Sequence, residues 1–419
     1  MLGFTIDNSV RPPDLVIQDE LHLLTGPLGS MAGLVETAIE TAWNVSQNHK
    51  PKYVAATATI RGASRDAMLM FGRHLSIFPP PINTAGDNFF AKEVSERLDE
   101  GRMHVAVLGP PEKSRTIGDL PTASLLQSGE YLRANFEVSV TDPYWTVIAY
   151  FNSLRELGGL QSSLTSRISN EWIPEYSKTT PCRSIEHIGE LTSRVTQTKL
   201  VETKKALEIS LTNGDLTPLD LVATSNMFQV GIDISRLGLM VLNGQPRSNS
   251  EYIQSSGRVG RSHPGLVVSL LRSTFPRDQS HYETHRSFHQ ELYRHVDHTS
   301  TTPFSLRALD RALDTTLIAL LRMGIPELAE NDSLNRLTTG DRRRVRRPIQ
   351  KLVREFCDKI QGRLEQTQFK AMNDQKYIKN VVDHLDLSVR KLQSWVENHC
   401  SEAICCWFEP FPNITTTCF

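Results

Sequence analysis

An apolar run, Leu15-Val16-Ile17, leads through Gln18 into two acids, Asp19 and Glu20, and a stretch rich in small residues follows. A carboxylate at the end of a strand can project beyond the C-terminal edge of a parallel sheet, where open α/β folds bind ligands. Adjacent carboxylates can divide the work of phosphoryl transfer: one helps hold a divalent cation, the other orients or deprotonates a water. The same pair can also be a solvated strand end before a helix N-terminus, which favours acids without any catalysis. Thr57-Ala58-Thr59 closes the next apolar run. Its hydroxyls could relay between two ligand sites, or simply cap a loop.

The string "VATSNMFQVGIDISRLGLMVLNGQPRSNSEYIQSSGRVGRS" joins four features in order. A strand ends in Thr224-Ser225, a turn runs Gly231-Ile232-Asp233, a second apolar strand follows, and Gln254-x-x-Gly257-Arg258-Val259-Gly260-Arg261 closes it. Guanidinium forks match phosphate oxygens. The spacing predicts Arg258 and Arg261 one helical turn apart on one side. The glycine before each would let the backbone pack close to a second domain.

These residues need strands and helices to hold them. "DLVIQ" reads as a strand, Gly29 to about residue 45 as a helix and "KYVAATAT" as the next strand, the alternation of a parallel α/β sheet. "SIFPPPINTAGDN" reads as a connector. A second block, roughly 100 to 275, repeats the alternation in "MHVAVLG", "WTVIAYF", "LDLVATS", "LGLMVLNG" and "GLVVSLL", with a helix predicted between the first two. From His281 the chain reads as mostly helical, and Leu306 to Leu321 places apolar residues at three- and four-residue steps.

Hydrophobic residues make up 39% and charged residues 22% of the 419, with net charge -1, so no global basic field points to nucleic acid, although a local groove still can. The 6 cysteines fall late and without a framework, which suits a reducing compartment. No apolar run reaches the roughly 18 residues of a membrane span. The first residues lack a basic stretch followed by an apolar one, so no signal peptide is read and a cytoplasmic location is expected. His281, His285 and His289 fall four apart and would form one stripe on a helix, either a metal site or a polar face. Asp341 to Pro348, "DRRRVRRP", is either a phosphate-contacting cluster or a charged helix face. Cys400, Cys405, Cys406 and Cys418 lack paired metal-ligand spacing.

"DELH", "TAT", "VATSNMFQVGIDI" and "QSSGRVGR" resemble, in this order, motifs II, III, V and VI of superfamily-two helicases, and "YWTVIAYFNSLRELGG" resembles motif IV. "PPDLVIQDELHLLTGPLGSMAGLVE" and "YRHVDHTSTTPFSLRALDRAL" resemble, more narrowly, bacterial helicase-like proteins that include the helicase subunit of the DISARM anti-phage system. The resemblance implies an α/β fold of two RecA-like parallel-sheet domains, ATP in their cleft, and a helical C-terminal region. Its expected boundaries are 1–98, 99–278 and 279–419. It implies ATP and Mg²⁺ as cofactors and a nucleic acid, DNA before RNA, as partner, with no membrane. Asp19 would help bind Mg²⁺, Glu20 would be the catalytic base, and His22 would couple the ATP site to motif VI. Thr57 and Thr59 would link hydrolysis to movement, and Thr224 and Ser225 would meet the nucleic-acid backbone. Gly231 and Asp233 would line the cleft. Gln254, Arg258 and Arg261 would reach the γ-phosphate, one arginine acting as the finger.

One family feature is missing: no Gly-rich loop ending in G-K-[ST] occurs in these 419 residues. The expectation is the C-terminal part of an ATP-dependent helicase or translocase, with phage defence as the setting the narrower resemblance implies, that is inactive without the upstream part of the motor or a partner subunit. The alternative is a non-hydrolysing subunit that binds nucleic acid or protein.

Overall fold

Strand residues that alternate between two covered faces are the sign of a parallel sheet packed on both sides. In a computed structural model of the protein, Val147–Phe151 and Leu239–Asn243 are buried along their whole length. Val147, Ala149 and Phe151 join one apolar cluster, while Ile148 and Tyr150 join another on the opposite face. The structure describes residues 12–47, 50–57, 63–78, 89, 101–110, 117–212, 217–226, 234–296, 301–330, 333, 339–367 and 373–398.

The chain forms two units, residues 1–83 with 298–419, and residues 84–297. In the first, β1 (Leu15–Gln18) pairs in parallel with β2 (Lys52–Ala55), connected through α1 (Gly26–Gln47), and α2 (Ala63–Phe71) follows. In the second, β3 (Arg102–Gly109), β4 (Val147–Phe151), β5 (Ile188–Leu191), β6 (Leu221–Thr224), β7 (Leu239–Asn243) and β8 (Gly265–Arg272) form a six-stranded sheet of order β3-β8-β7-β4-β6-β5. Every pairing in it is parallel. Helices α3 (Asp119–Asn135) and α4 (Leu154–Ser163) belong to this unit, as do α5 (Gln197–Glu208), α6 (Asn249–Ser256), α7 (Pro276–Glu283) and α8 (His285–Gln290). Their apolar residues divide between the two sheet faces: Ala123, Leu126, Leu157 and Leu160 on one, Leu207, Tyr252 and Phe288 on the other. Strands ordered out of sequence, with helices on both faces, make a doubly wound α/β unit.

Packing groups the chain differently from the boundaries 1–98, 99–278 and 279–419. Helices α9 (Leu306–Gly324), α10 (Thr339–Gln366) and α11 (Gln375–Asn398) do not form a core of their own. Leu309, Leu313, Leu317, Leu320 and Leu321 of α9 share one core with Leu34, Ala38 and Ala42 of α1, with Phe356 and Ile360 of α10 and with Val381 and Leu385 of α11. The cause is the three- and four-residue apolar spacing that α9 shows in sequence, which leaves one whole helix face in need of cover. Ser305 caps α9, accepting from the Ala308 N–H at 3.3 Å.

A buried ion network locks this unit. Arg363 of α10 donates to the Thr37 hydroxyl at 2.7 Å, to the Met70 carbonyl at 2.7 Å and to Glu40 at 2.5 Å. Arg73 and Lys359 reach the same Glu40 carboxylate at 2.8 and 3.4 Å. Burial alone would raise the Glu40 carboxyl, but Arg363, Lys359 and Arg73 together hold it below the usual range. Removing the carboxylate leaves the Arg363 guanidinium, 5% exposed, without its counter-charge. Glu40→Ala is therefore expected to cost about 3–5 kcal/mol of stability, read as a lower denaturation midpoint. The same wild-type network should weaken as pH falls below the free carboxylate value of about 4.3.

Candidate functional site

The acid pair sits where a parallel strand should place it. β1 and β2 run in register from Leu15↔Lys52 to Gln18↔Ala55, and the ladder continues through Ala56 N–H to Gln18 O and Leu21 N–H to Ala56 O, both 2.9 Å. Asp19 is exposed at the strand end, and its Oδ1 accepts the Glu20 backbone N–H at 2.8 Å. Glu20 has φ 52, the one positive φ outside glycine among the described residues. A left-handed residue of this kind costs roughly 1–2 kcal/mol, and such strain concentrates at functional sites. His22, 6% exposed, brings Nδ1 to 3.4 Å from Glu20 Oε2 and 3.4 Å from Thr57 Oγ1. Glu20, His22 and Thr57 thus meet at one strand edge although 37 residues separate the first and last. Thr59 lies outside the described residues.

In the second unit the C-terminal strand ends open on one edge. Asn152, just past β4, donates Nδ2–H to the carbonyls of Asn243 at 3.3 Å and Gln245 at 3.1 Å, tying the ends of β4 and β7. Ser153 caps α4, accepting from the Glu156 N–H at 3.3 Å. A cavity of about 670 Å³ opens here, lined by Asp119, Ser153, Arg155, Arg167, Asn243 and Arg272 among others. Two ion pairs cross-brace its wall, Arg272–Glu156 at 2.7 Å and Arg167–Asp119 at 2.8 Å. Burial raises the Asp119 carboxyl, with Arg167 pulling against it. Arg167 comes from a π-helical stretch, Leu164–Trp172, that continues α4; π-turns recur at functional sites. Sequence reasoning named the string around β4 but none of these cavity residues singly. The available signal was a polar or cationic residue at or just past the ends of β4, β7 and β8, namely Ser153, Asn243 and Arg272.

Thr224 ends β6, is fully buried, and donates its hydroxyl to the Leu191 carbonyl at 3.0 Å. In this structure that hydroxyl serves the β5–β6 edge, so Thr224 presents no surface for a nucleic-acid strand. Ser225 is 8% exposed, with Oγ donating to Asn226 Oδ1 at 3.3 Å. Gly231 and Asp233 lie outside the described residues.

The arginine string departs from the one-sided helix its spacing predicts. α6 is capped by Ser248, which accepts from the Glu251 N–H at 3.1 Å, and it ends at Ser256. Gln254, half-buried, is on the helix; Arg258 and Arg261 follow it in a turn, the first half-buried, the second exposed. Val259, fully buried, pins the turn, and Gly260 adopts φ 68 with its N–H on the Leu237 carbonyl at 2.7 Å. A Cβ on Gly260 would stand 2.7 Å from Gly265 Cα. The close glycine packing is therefore within this unit. A left-handed residue against another backbone needs glycine, and it falls in the turn that follows the end of the helix at Ser256.

The histidine stripe is broken too. His281 lies on α7, and Thr284 separates it from His285 and His289 on α8. Among the described residues no cluster of His, Cys, Asp or Glu is arranged to hold a metal ion, and no helix is long and apolar enough to cross a membrane. Arg344, Arg346 and Arg347 of the basic cluster are exposed on α10, with Val345 buried between them. Cys400, Cys405, Cys406 and Cys418 lie outside the described residues.

No family model matches the chain. The DISARM protein DrmA of Bacillus paralicheniformis is 45% identical over 331 residues, 76% of this chain and 29% of that protein. An ATP-dependent helicase of Bacillus subtilis, YprA, is 31% identical over 104 residues, 23% of this chain and 14% of that protein. A solved structure, the DUF1998 helicase MrfA bound to DNA and AMPPNP, superposes with TM-score 0.49 at 18% identity, over 73% of this chain and 36% of that one. The chain thus spans less than a third of the length of either curated relative.

Proposed function

We propose, for a chain that belongs to the superfamily-two helicases, that it forms the C-terminal part of an ATP-driven motor moving along nucleic acid, DNA in preference to RNA. The observation that carries this reading is the meeting of Glu20, His22 and Thr57 at one strand edge. Asp19 and Glu20 fit the acid half of a nucleotide site: both follow a parallel strand, and Asp19 is exposed. Asp19 would hold Mg²⁺, whose charge would offset that of the phosphates. Glu20 would take the proton of the attacking water, with His22 holding its carboxylate. Gln254, Arg258 and Arg261 would act on phosphate oxygens. The phosphate-holding loop would come from a segment or partner beyond these 419 residues. Exposed Leu15, Ile17 and Val54 on β1 and β2 support this, because parallel sheets are normally covered on both faces. The likeness to the DISARM protein supports a role in phage defence.

The cavity at the strand ends of the second unit would take the sugar-phosphate backbone of a single strand. Phosphate contacts release counterions, so single-strand affinity falls with salt by roughly 0.7 in log-log slope per contact. Arg155→Ala should weaken binding to unrelated oligonucleotides alike and reduce that slope by about one contact's share, measured by fluorescence anisotropy across a salt series. Binding that ignores both salt and Arg155 would favour the second reading, a protein-binding subunit.

A further inference from the structure

One face of β3, together with α8, holds the arginine string from behind. Arg102 and His104 lie two apart on β3 and so share a face. Arg102 Nε donates to the Val259 carbonyl at 2.8 Å, between Arg258 and Gly260. His104 Nδ1 lies 2.8 Å from the hydroxyl of Tyr252 on α6, and His289 Nε2 lies 2.7 Å from the same oxygen. His289 Nδ1 is 2.7 Å from the His285 carbonyl.

These contacts fix where the protons sit. A carbonyl only accepts, so His289 carries its proton on Nδ1 and, when neutral, accepts at Nε2. The Tyr252 O–H therefore donates to His289, and its oxygen accepts from His104 Nδ1–H. A second proton on His289 would put a donor where Tyr252 needs an acceptor. Burial pushes His104 down to about 3, with His289, Arg102 and His285 adding repulsion, and burial lowers His289 and His281 as well. The groups facing the pair are Arg102 on β3, Ser269 on β8, His281 on α7 and His285 on α8, all neutral or cationic.

We propose that Tyr252, with His104 and His289, positions the turn that carries Arg258, holding it while the His289 imidazole is neutral and releasing it when His289 takes a second proton in acid; the importance of that turn rests on the role given to Arg258 above. A free imidazole takes its proton near 6.5, so an arrangement that needs it neutral weakens as pH falls below that value and is fully present above it.

The test is hydrogen exchange of residues 252–261 in the 419-residue chain at about pH 5.5 and about pH 7.5, either side of the free imidazole value and corrected for intrinsic rates, beside ATP hydrolysis by the complete motor. Wild type should exchange roughly tenfold faster, after correction, at the lower pH. Tyr252→Phe should exchange fast at both. His289→Gln keeps an acceptor near the Nε2 position and cannot be protonated, so it should stay protected at both, and it serves as the test if Tyr252→Phe fails to fold. Equal wild-type exchange at the two pH values, or a His289→Gln that keeps the wild-type pH dependence, overturns the proposal. If exchange follows the prediction but Arg258→Ala hydrolyses ATP normally, the positioning stands and the role of Arg258 fails.

Discussion

Arg258→Ala should lower nucleic-acid-stimulated ATP hydrolysis by the complete motor by roughly 10³–10⁵-fold, the range an arginine finger contributes, equivalent to about 4–7 kcal/mol of transition-state stabilisation. The geometry singles out Arg258 over Arg261. The backbone that carries it is held in place: Val259 is fully buried, the Val259 carbonyl accepts from Arg102, and the Arg258 N–H bonds the Ser255 carbonyl at 3.1 Å. Arg261 is exposed and turns its Nε back to the Gly257 carbonyl at 3.2 Å. A cation presented from a fixed backbone stabilises developing phosphoryl charge with less reorganisation during the reaction, so Arg261→Ala should cost less. Arg258→Lys should rescue only part of the loss, because an ammonium lacks the planar fork. Steady-state hydrolysis with saturating single-stranded DNA reads all three. Equal losses for Ala at 258 and at 261 would contradict the assignment.

Glu20→Gln should cut the same activity by roughly 10²–10⁴-fold, the share of a positioned general base, while nucleic-acid binding by the second unit stays intact. Gln keeps the size and a hydrogen-bonding oxygen but cannot take a proton. The backbone at Glu20 is left-handed, yet it is fixed by the Asp19 carboxylate on its own N–H and by the Leu21–Ala56 bond beyond it. The substitution therefore changes the chemistry and not the loop. His22→Ala should show a smaller loss, since His22 touches Glu20 and Thr57 and would only hold the proposed base.

Much of this architecture was legible in the sequence. The apolar runs at 147–151, 221–224, 239–243 and 265–272 are strands, as read, because continuous apolar runs bounded by turn residues suit a sheet covered on both faces. The amphipathic spacing of 306–321 is helix α9. What that spacing could not tell was its partner: an apolar helix face says that it must be covered, not by what, and α1, nearly three hundred residues away, covers it. β5 was missed because Ile188–Leu191 is short and carries Gly189 and Glu190, tolerable at a sheet edge. The Arg258–Arg261 string was read as one helical turn, whereas α6 ends at Ser256 and both arginines lie in the turn beyond it, where Gly260 takes a left-handed φ against Gly265. The His104–Tyr252–His289 chain left no local trace at all, as its members come from three elements.

Asp19 and Glu20 are proposed above to form half of a nucleotide-hydrolysing centre. The direct measurement is ATP hydrolysis by the 419-residue chain with single-stranded DNA, alone and after addition of the segment that carries a G-K-[ST] loop. Background rates are expected for the chain alone, and hydrolysis on addition that Glu20→Gln abolishes. Hydrolysis by the chain alone that survives Glu20→Gln would contradict it.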